Sequence, residues 1–243
     1  MTDSGHTGEL WRYPVKSMLG ERQDALAVDG RGAIGDRLYA VRDGNGKFGS
    51  GKNTRRFRRI DGLFDFRARY DGDVPVITLP DGREVRGDDD DVHLHLQRTL
   101  DRTDVTLARE DSISHFDQAP LHIVTDASLA WLAGAVPGTA VDARRLRPNL
   151  VVRTGCEPGL VEDAWIGRTA RIGSEVVVAF THRTERCVMV NNAQDHLAYD
   201  GRVLKAIAAN DLNLGIYATV LHGGTISLGD RLQLGAPAQP GQR

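Results

Sequence analysis

The chain has 243 residues, 26% of them charged, and a formal net charge of -2; that length buries a core that folds without disulfide or metal staples, and that charge argues against generic nucleic-acid binding, which shows as a basic domain. Two cysteines, Cys156 and Cys187, are too few for a disulfide framework and fit a reducing compartment. No apolar run approaches the roughly 18 residues that cross a bilayer, and Met1 to His6 lacks the basic and apolar regions of a signal peptide, so the expectation is a cytoplasmic protein with no membrane or nucleic-acid partner.

Taken in order, Leu10, Trp11, Tyr13 and Val15 read as a strand that Pro14 confines to an edge or a bulge. Lys16 and Ser17 follow where that strand gives way to a loop, a point charge beside a hydroxyl and thus a pair suited to phosphate. A second strand covers Ala25 to Val28 and a third Leu38 to Val41, with Asp36 and Arg37 at the entrance of the latter; the plain reading of those two is a surface ion pair. The basic segment from Lys47 to Arg59 either faces an anion or is simply solvated. Alternation over Asp65 to Tyr70 and the run Val76 to Leu79, set between Asp-Gly turns, add strands. The first half therefore reads as all β, as in a small barrel or sandwich. Asp88 to Asp91 marks a helix start, with carboxylates on free N–H groups and Val92, Leu94, Leu96 and Leu100 following. His93 and His95 diverge on such a helix and make a poor metal pair. Val105 to Ala108 returns to strand, and Arg109 to Ser112 looks like the exit from a first domain.

Leu121 to Val124 reads as a strand, with Thr125 or Asp126 capping a helix from Ala127 to Ala133. Pro148 forces extension just after Arg147, displaying that guanidinium and the Asn149 amide near the start of the apolar strand Leu150 to Val152. Trp165 to Gly167 and Ala170 to Gly173 read as short strands. The most apolar run, Val176 to Phe180, has four β-branched or aromatic residues in five and reads as a buried strand. Cys187 lies a few residues beyond it with Arg186 beside it, where a rigid sheet fixes a group that ligand still reaches. A small buried hydrophobe is the bland alternative for such a cysteine. Gly201 to Asn210 reads as a helix, and Gly215 to Leu221 with Thr225 to Leu228 as a terminal hairpin around Gly223 and Gly224. The tail from Gly235 reads as disordered.

Several separated motifs now agree: Tyr13-Pro14-Val15-Lys16-Ser17, Gly35-Asp36-Arg37, Arg147-Pro148-Asn149, Arg186-Cys187, and Gly224-Thr225-Ile226-Ser227-Leu228-Gly229-Asp230. In order and spacing the chain resembles the MOSC proteins, named for the C-terminal domain of molybdenum cofactor sulfurase, in the version preceded by an N-terminal MOSC β-barrel domain. Relatives of that layout include the mitochondrial amidoxime reducing component and bacterial reductases of N-hydroxylated compounds. The resemblance implies a mainly β fold with a few short helices: an N-terminal β-barrel-like domain over residues 9–112 packed on a MOSC barrel over residues 113–234, with residues 235–243 as tail.

It also implies molybdenum-molybdopterin as cofactor, with Cys187 as metal ligand and catalytic residue, and Lys16, Ser17, Arg37, Arg147, Asn149 and Arg186 on the pterin or its phosphate. Thr125 or Ser128, in a stretch similar to the family's Ser-Glu-Ala-Ser-Leu segment, would add a hydroxyl. The implied activity is reduction of an N-hydroxylated or N-oxide small molecule, independent of pyridoxal phosphate. Electrons would come from a separate protein of ferredoxin or flavin reductase type, since no cysteine-rich segment is at hand. One departure stands out: Val190-Asn191-Asn192-Ala193-Gln194-Asp195 replaces the Val-Asp-Pro-x-Thr-Gly loop usual after the cysteine, so the family's substrate range does not carry over. Two other readings of the residues remain. In one, Cys187 is a persulfide-bearing sulfur carrier whose thiol Arg186 activates; in the other, the anion pocket belongs to a non-catalytic binding module.

Overall fold

The structure, a computed structural model, describes residues 2–237. Along the chain run β1 (Thr2–Arg12), β2 (Glu21–Gln23), β3 (Ala25–Asp29), β4 (Gly32–Ala33), β5 (Tyr39–Arg42), β6 (Phe48–Ser50), β7 (Phe57–Arg59), β8 (Arg67–Asp71), β9 (Val74–Thr78) and β10 (Glu84–Arg86). There follow α1 (Val92–Thr99), β11 (Thr106–Arg109), β12 (Leu121–Thr125), α2 (Asp126–Ala135), β13 (Leu150–Arg153), β14 (Arg168–Ile172), β15 (Val176–Glu185), α3 (Arg202–Ile207), β16 (Asn213–His222), β17 (Gly224–Ser227) and β18 (Arg231–Pro237). The fold is mainly β, with three short α-helices among the described residues.

Seven strands close on themselves in the order β13-β12-β16-β15-β14-β18-β1, and the pairing of β1 with β13 shuts the barrel. Closure leaves no unpaired edge, the usual solution for a sheet of short strands. Inside it, Leu121, Ile123, Leu150, Phe180, Ile216 and Leu232 form one apolar core. The strand period of two sends the alternate residues of β12 outward: Val124 packs under α2 and α3 with Leu132 and Val203, while His122 sits on the face between the barrel and the rest of the chain.

The chain from β5 to β11 builds a separate body. A four-stranded sheet (β11-β5-β6-β7) and a three-stranded one (β10-β9-β8) enclose Val15, Met18, Val41, Phe66, Ile77 and Leu96. A third small sheet, β17-β3-β4, closes over the barrel. β1, the first strand of the chain, is thus hydrogen-bonded into the barrel completed by the second half. The connection from Tyr13 to Met18 then passes directly from barrel to second body.

Some elements differ from expectation for identifiable reasons. The expected 215–228 hairpin does not form, because β17 pairs with β3 across the chain instead of with β16. Residues Val161–Trp165 are a 3-10 helix rather than a strand entering at Trp165, and that turn buries Glu162 beside α2. Asp91 precedes α1 without capping it through its side chain, while Asp88 and Asp89 of the same acidic run accept from Arg86 at 3.0 and 3.1 Å. Gly235 to Pro237, expected in the tail, continue β18 along β14; residues 238–243 lie outside the described chain. No described helix is long and apolar enough to cross a membrane.

Candidate functional site

Three of the seven non-glycine residues in the left-handed region, among those described, are Ser17 (φ 65°), Arg37 (φ 49°) and Arg147 (φ 55°). That conformation costs an L-residue roughly 1–2 kcal/mol and persists where surrounding structure over-determines it, often at a site of function. Each of the three is tied in place. Ser17 donates from Oγ to the Gly49 carbonyl at 3.0 Å. Arg37 is paired with Asp36, whose carboxylate is fully buried and also accepts from the Tyr13 amide at 2.8 Å, so the expected surface pair is an interior one. Arg147 donates from Nη1 to the Met18 carbonyl at 2.7 Å, and its guanidinium carbon lies 4.2 Å from the centre of the Tyr13 ring. Pro148 excludes the right-handed helical region at Arg147; the backbone takes the left-handed alternative there and becomes extended only from β13 onward.

The other wall carries the cysteine. β15 runs five residues beyond the apolar stretch, to Glu185, so Cys187 follows the strand end closely. The Arg186 amide donates to the Leu212 carbonyl at 2.7 Å, and its side chain reaches Leu214 O at 2.9 Å, Leu146 O at 3.1 Å and His122 Nε2 at 2.8 Å. A guanidinium has only donors, so Nε2 accepts, and the His122 proton sits on Nδ1, 3.3 Å from the Arg147 carbonyl. Burial first, and then Arg186, holds the His122 pKa well below the usual histidine range, which keeps that arrangement neutral. Arg145, nearly fully buried, binds the carbonyls of Val190, Asn192 and Ala198 and so fixes the turn that follows Cys187.

Between these walls lies a cleft of about 310 Å³. Six cations, Lys16, Arg37, Lys52, Arg145, Arg147 and Arg186, line it against two carboxylates, Asp117 and Glu185. Lys16 is buried and donates to Asp117 at 2.8 Å and to the His115 carbonyl at 2.7 Å. Burial lowers the Lys16 pKa, partly offset by Asp117. Burial lowers those of Arg147 and Arg186 as well, to about 10. Arg147 Nη2 is buried with no partner, a costly state that an anionic ligand would relieve. Cys187, a free thiol of intermediate exposure, is in the same lining. Among the described residues no cluster of three or more His, Cys, Asp or Glu is arranged to hold a metal.

Of the residues singled out from the sequence, Lys16, Ser17, Arg37, Arg147, Arg186 and Cys187 share this lining. Asn149 does not: its amide accepts from the His122 amide at 3.1 Å and donates to the Trp11 carbonyl at 3.3 Å, joining β1 to β12. Thr125 and Ser128 are also elsewhere. Thr125 accepts from the Ser128 amide at 3.1 Å as cap of α2, and both hydroxyls donate to the buried Glu162 carboxylate. The residues that sequence reading passed over are His122, Arg145, Asp117 and Met189. His122 had one usable signal, an ionisable residue at an outward position of an apolar strand; Asp117 and Arg145 lie in segments where nothing local marks them.

Among similar solved structures, the YuaD protein of Bacillus subtilis matches with a TM-score of 0.51 at 14% identity, over 95% of this chain and 94% of that one, a likeness of fold. The YiiM protein of Geobacillus stearothermophilus matches with a TM-score of 0.37 at 16% identity, over 48% of this chain and 54% of that one. No curated protein matches the sequence. The MOSC N-terminal beta barrel domain matches residues 4–135, and the MOSC domain residues 90–233. The chain therefore belongs to the MOSC family, which is associated with molybdenum cofactor-binding proteins.

Proposed function

We propose that the protein is a molybdenum cofactor-dependent reductase of N-hydroxylated or N-oxide compounds, supplied with electrons by a separate protein of ferredoxin or flavin reductase type. The observation that carries this reading is the convergence on one cleft of a free thiol and a cationic lining, part of it held in left-handed backbone. The residues fit such a group: a thiolate suits a soft metal, arginine forks suit phosphate oxygens, and the unpartnered Arg147 Nη2 lacks the acceptor a phosphate provides. Bound there, the cofactor would supply a metal that takes oxygen from the substrate with two electrons.

The chain's own residues bind and orient. Cys187 is the ligand to the metal; Lys16, Ser17, Arg37 and Arg147 take the anionic end. Arg186 works mainly by position, since its N–H groups already hold Leu146, Leu214 and His122 around the cysteine. Asn149 and Thr125 belong to the frame rather than to the ligand. Protein made in a host that synthesises the cofactor should carry stoichiometric molybdenum and reduce benzamidoxime in a reconstituted electron chain. Cys187→Ala should lose both properties. Protein without molybdenum despite intact cofactor supply, or an active Cys187→Ala variant, would overturn the reading, and cyanide-labile sulfur on Cys187 without pterin would favour a sulfur carrier.

A further inference from the structure

Several cations of the cleft are held by aromatic rings where carboxylates would be expected. Arg147 has no carboxylate partner among the described residues: Nη1 donates to the Met18 carbonyl and Nη2 is buried without a partner. What faces it is aromatic, with the centres of the Tyr13 and Phe64 rings 4.2 and 5.4 Å from its guanidinium carbon. The guanidinium carbon of Arg37 lies 4.9 Å from the centre of the same Tyr13 ring. The pattern recurs at Phe57, whose ring centre is 5.0 Å from Lys16 Nζ and 4.9 Å from Lys52 Nζ. All four of these cations line the cleft. The physical reason lies in which atoms each kind of partner uses. A carboxylate binds a guanidinium along its N–H edge, the edge that an anionic ligand also needs. An aromatic face attracts the cation through the ring quadrupole and leaves that edge free.

Tyr13 itself has little freedom. It is fully buried, its amide donates to Asp36 Oδ1 at 2.8 Å, and its carbonyl accepts from the Arg37 amide at 2.7 Å. Gly20 packs so closely that a Cβ there would fall 2.5 Å from the ring. The phenol hydroxyl has no hydrogen-bond partner, so the ring makes the side chain's contacts. Burial pushes the phenol pKa above its ordinary value and Arg147 and Arg37 offset only part of that, so the ring that meets the two guanidinium groups is neutral. A neutral face holds a cation without repelling an incoming anion, which a carboxylate in its place would do.

We propose that Tyr13 is the positioning residue of the anion site: its ring face holds the guanidinium groups of Arg37 and Arg147 in the cleft with N–H edges left for the ligand. Tyr13 is not in the cleft lining and acts through the two arginines. The inference rests on the part of the reductase reading that places an anion in the cleft. The test varies the ring's electronics at nearly constant volume in the full chain, with inorganic phosphate as the probe and calorimetry as the readout. Tyr13→Phe removes only the unpartnered hydroxyl and should keep phosphate affinity within about twofold of the parent. Mono-, di- and trifluorinated phenylalanine at the same position drain the ring face stepwise, a change that a merely space-filling ring would not register. Affinity should fall with each fluorine, by about three- to thirtyfold over the series, the worth of a cation–π contact. The same series at Phe116, whose ring centre lies 4.5 Å from the Arg31 guanidinium carbon outside the cleft lining, should leave phosphate affinity unchanged. Loss of affinity in Tyr13→Phe, a flat or rising series at Tyr13, or an equal fall at Phe116 would each overturn the proposal. Molybdenum content reports separately on the reductase reading. A fluorine-dependent affinity in protein that takes up no molybdenum would sink that reading and leave this one standing; molybdenum uptake with a flat series would do the reverse.

Discussion

Thr125, Ser128 and Glu162 form one buried polar group in this molecule, and Lys16, Arg37, Arg147 and Arg186 form another. In the first, two hydroxyls converge on one carboxylate, Thr125 also caps a helix, and every partner is internal. Burial raises the Glu162 pKa while the two hydroxyls pull it back. In the second, carbonyls and Asp36 and Asp117 take up most of the donors, yet Arg147 Nη2 is left over and the cations outnumber the carboxylates. A closed polar network serves the fold; an open one spends stability on a ligand that completes it.

Substitutions should separate the two groups. Glu162→Ala strands two buried hydroxyls and should cost about 2–5 kcal/mol of stability, seen in urea unfolding, with phosphate affinity unchanged. A fall in phosphate affinity instead would show that the closed group is not closed. Arg147→Met should act the other way. It removes a buried, half-satisfied charge, so the unliganded protein should lose no more than about 1 kcal/mol, while phosphate affinity by calorimetry should drop about 10- to 100-fold, the worth of a charge-assisted hydrogen bond.

Acid should act next, through histidines that flank the open group. Burial first, and then Arg42, push the His115 pKa from 6.5 down to about 4, and His122 is lowered in the same direction. The unfolded chain takes up these protons near pH 6.5, whereas the folded chain takes up that of His115 only near pH 4. Over that window the unfolded state holds more protons, so stability falls as pH falls and His115 adds no further loss below about pH 4. Urea midpoints measured across the window should show the slope, and His115→Gln should flatten it. The smallest effect is expected at Ser17→Gly, where relief of left-handed strain and loss of the hydrogen bond to Gly49 should cancel to within about 0.5 kcal/mol. A destabilisation well above that would mean the backbone at Ser17 is not strained.

The elements of the barrel were legible because their causes are local. Val176 to Phe180 is β-branched enough to be a strand in any context, and Thr125 three residues before Ser128 is a cap by geometry. What failed was pairing: β17 looked like the second arm of a hairpin because it follows β16, but its partner β3 lies almost two hundred residues earlier in the chain. The site divided in the same way. Arg147 and Asn149 are near neighbours in one motif and looked alike on the page, yet one lines the cleft and the other ties β1 to β12. Arg145, which sets the turn after Cys187, gave no sign of this, because its acceptors are carbonyls and any residue supplies a carbonyl.

By itself the sequence determined the strand-rich class, the motif order that marks the family, and a cysteine displayed beyond a buried strand. Residue type and spacing act over a few positions, and these features need nothing more. The tertiary structure alone decided that β1 closes a barrel with strands from the far end of the chain, that His122 is a neutral acceptor for Arg186, and that six cations from distant parts of the chain line one cleft with Cys187. Those depend on which surfaces meet when the chain closes, and burial, the term that fixes the charge on His122 and leaves Arg147 wanting a partner, does not exist until they do.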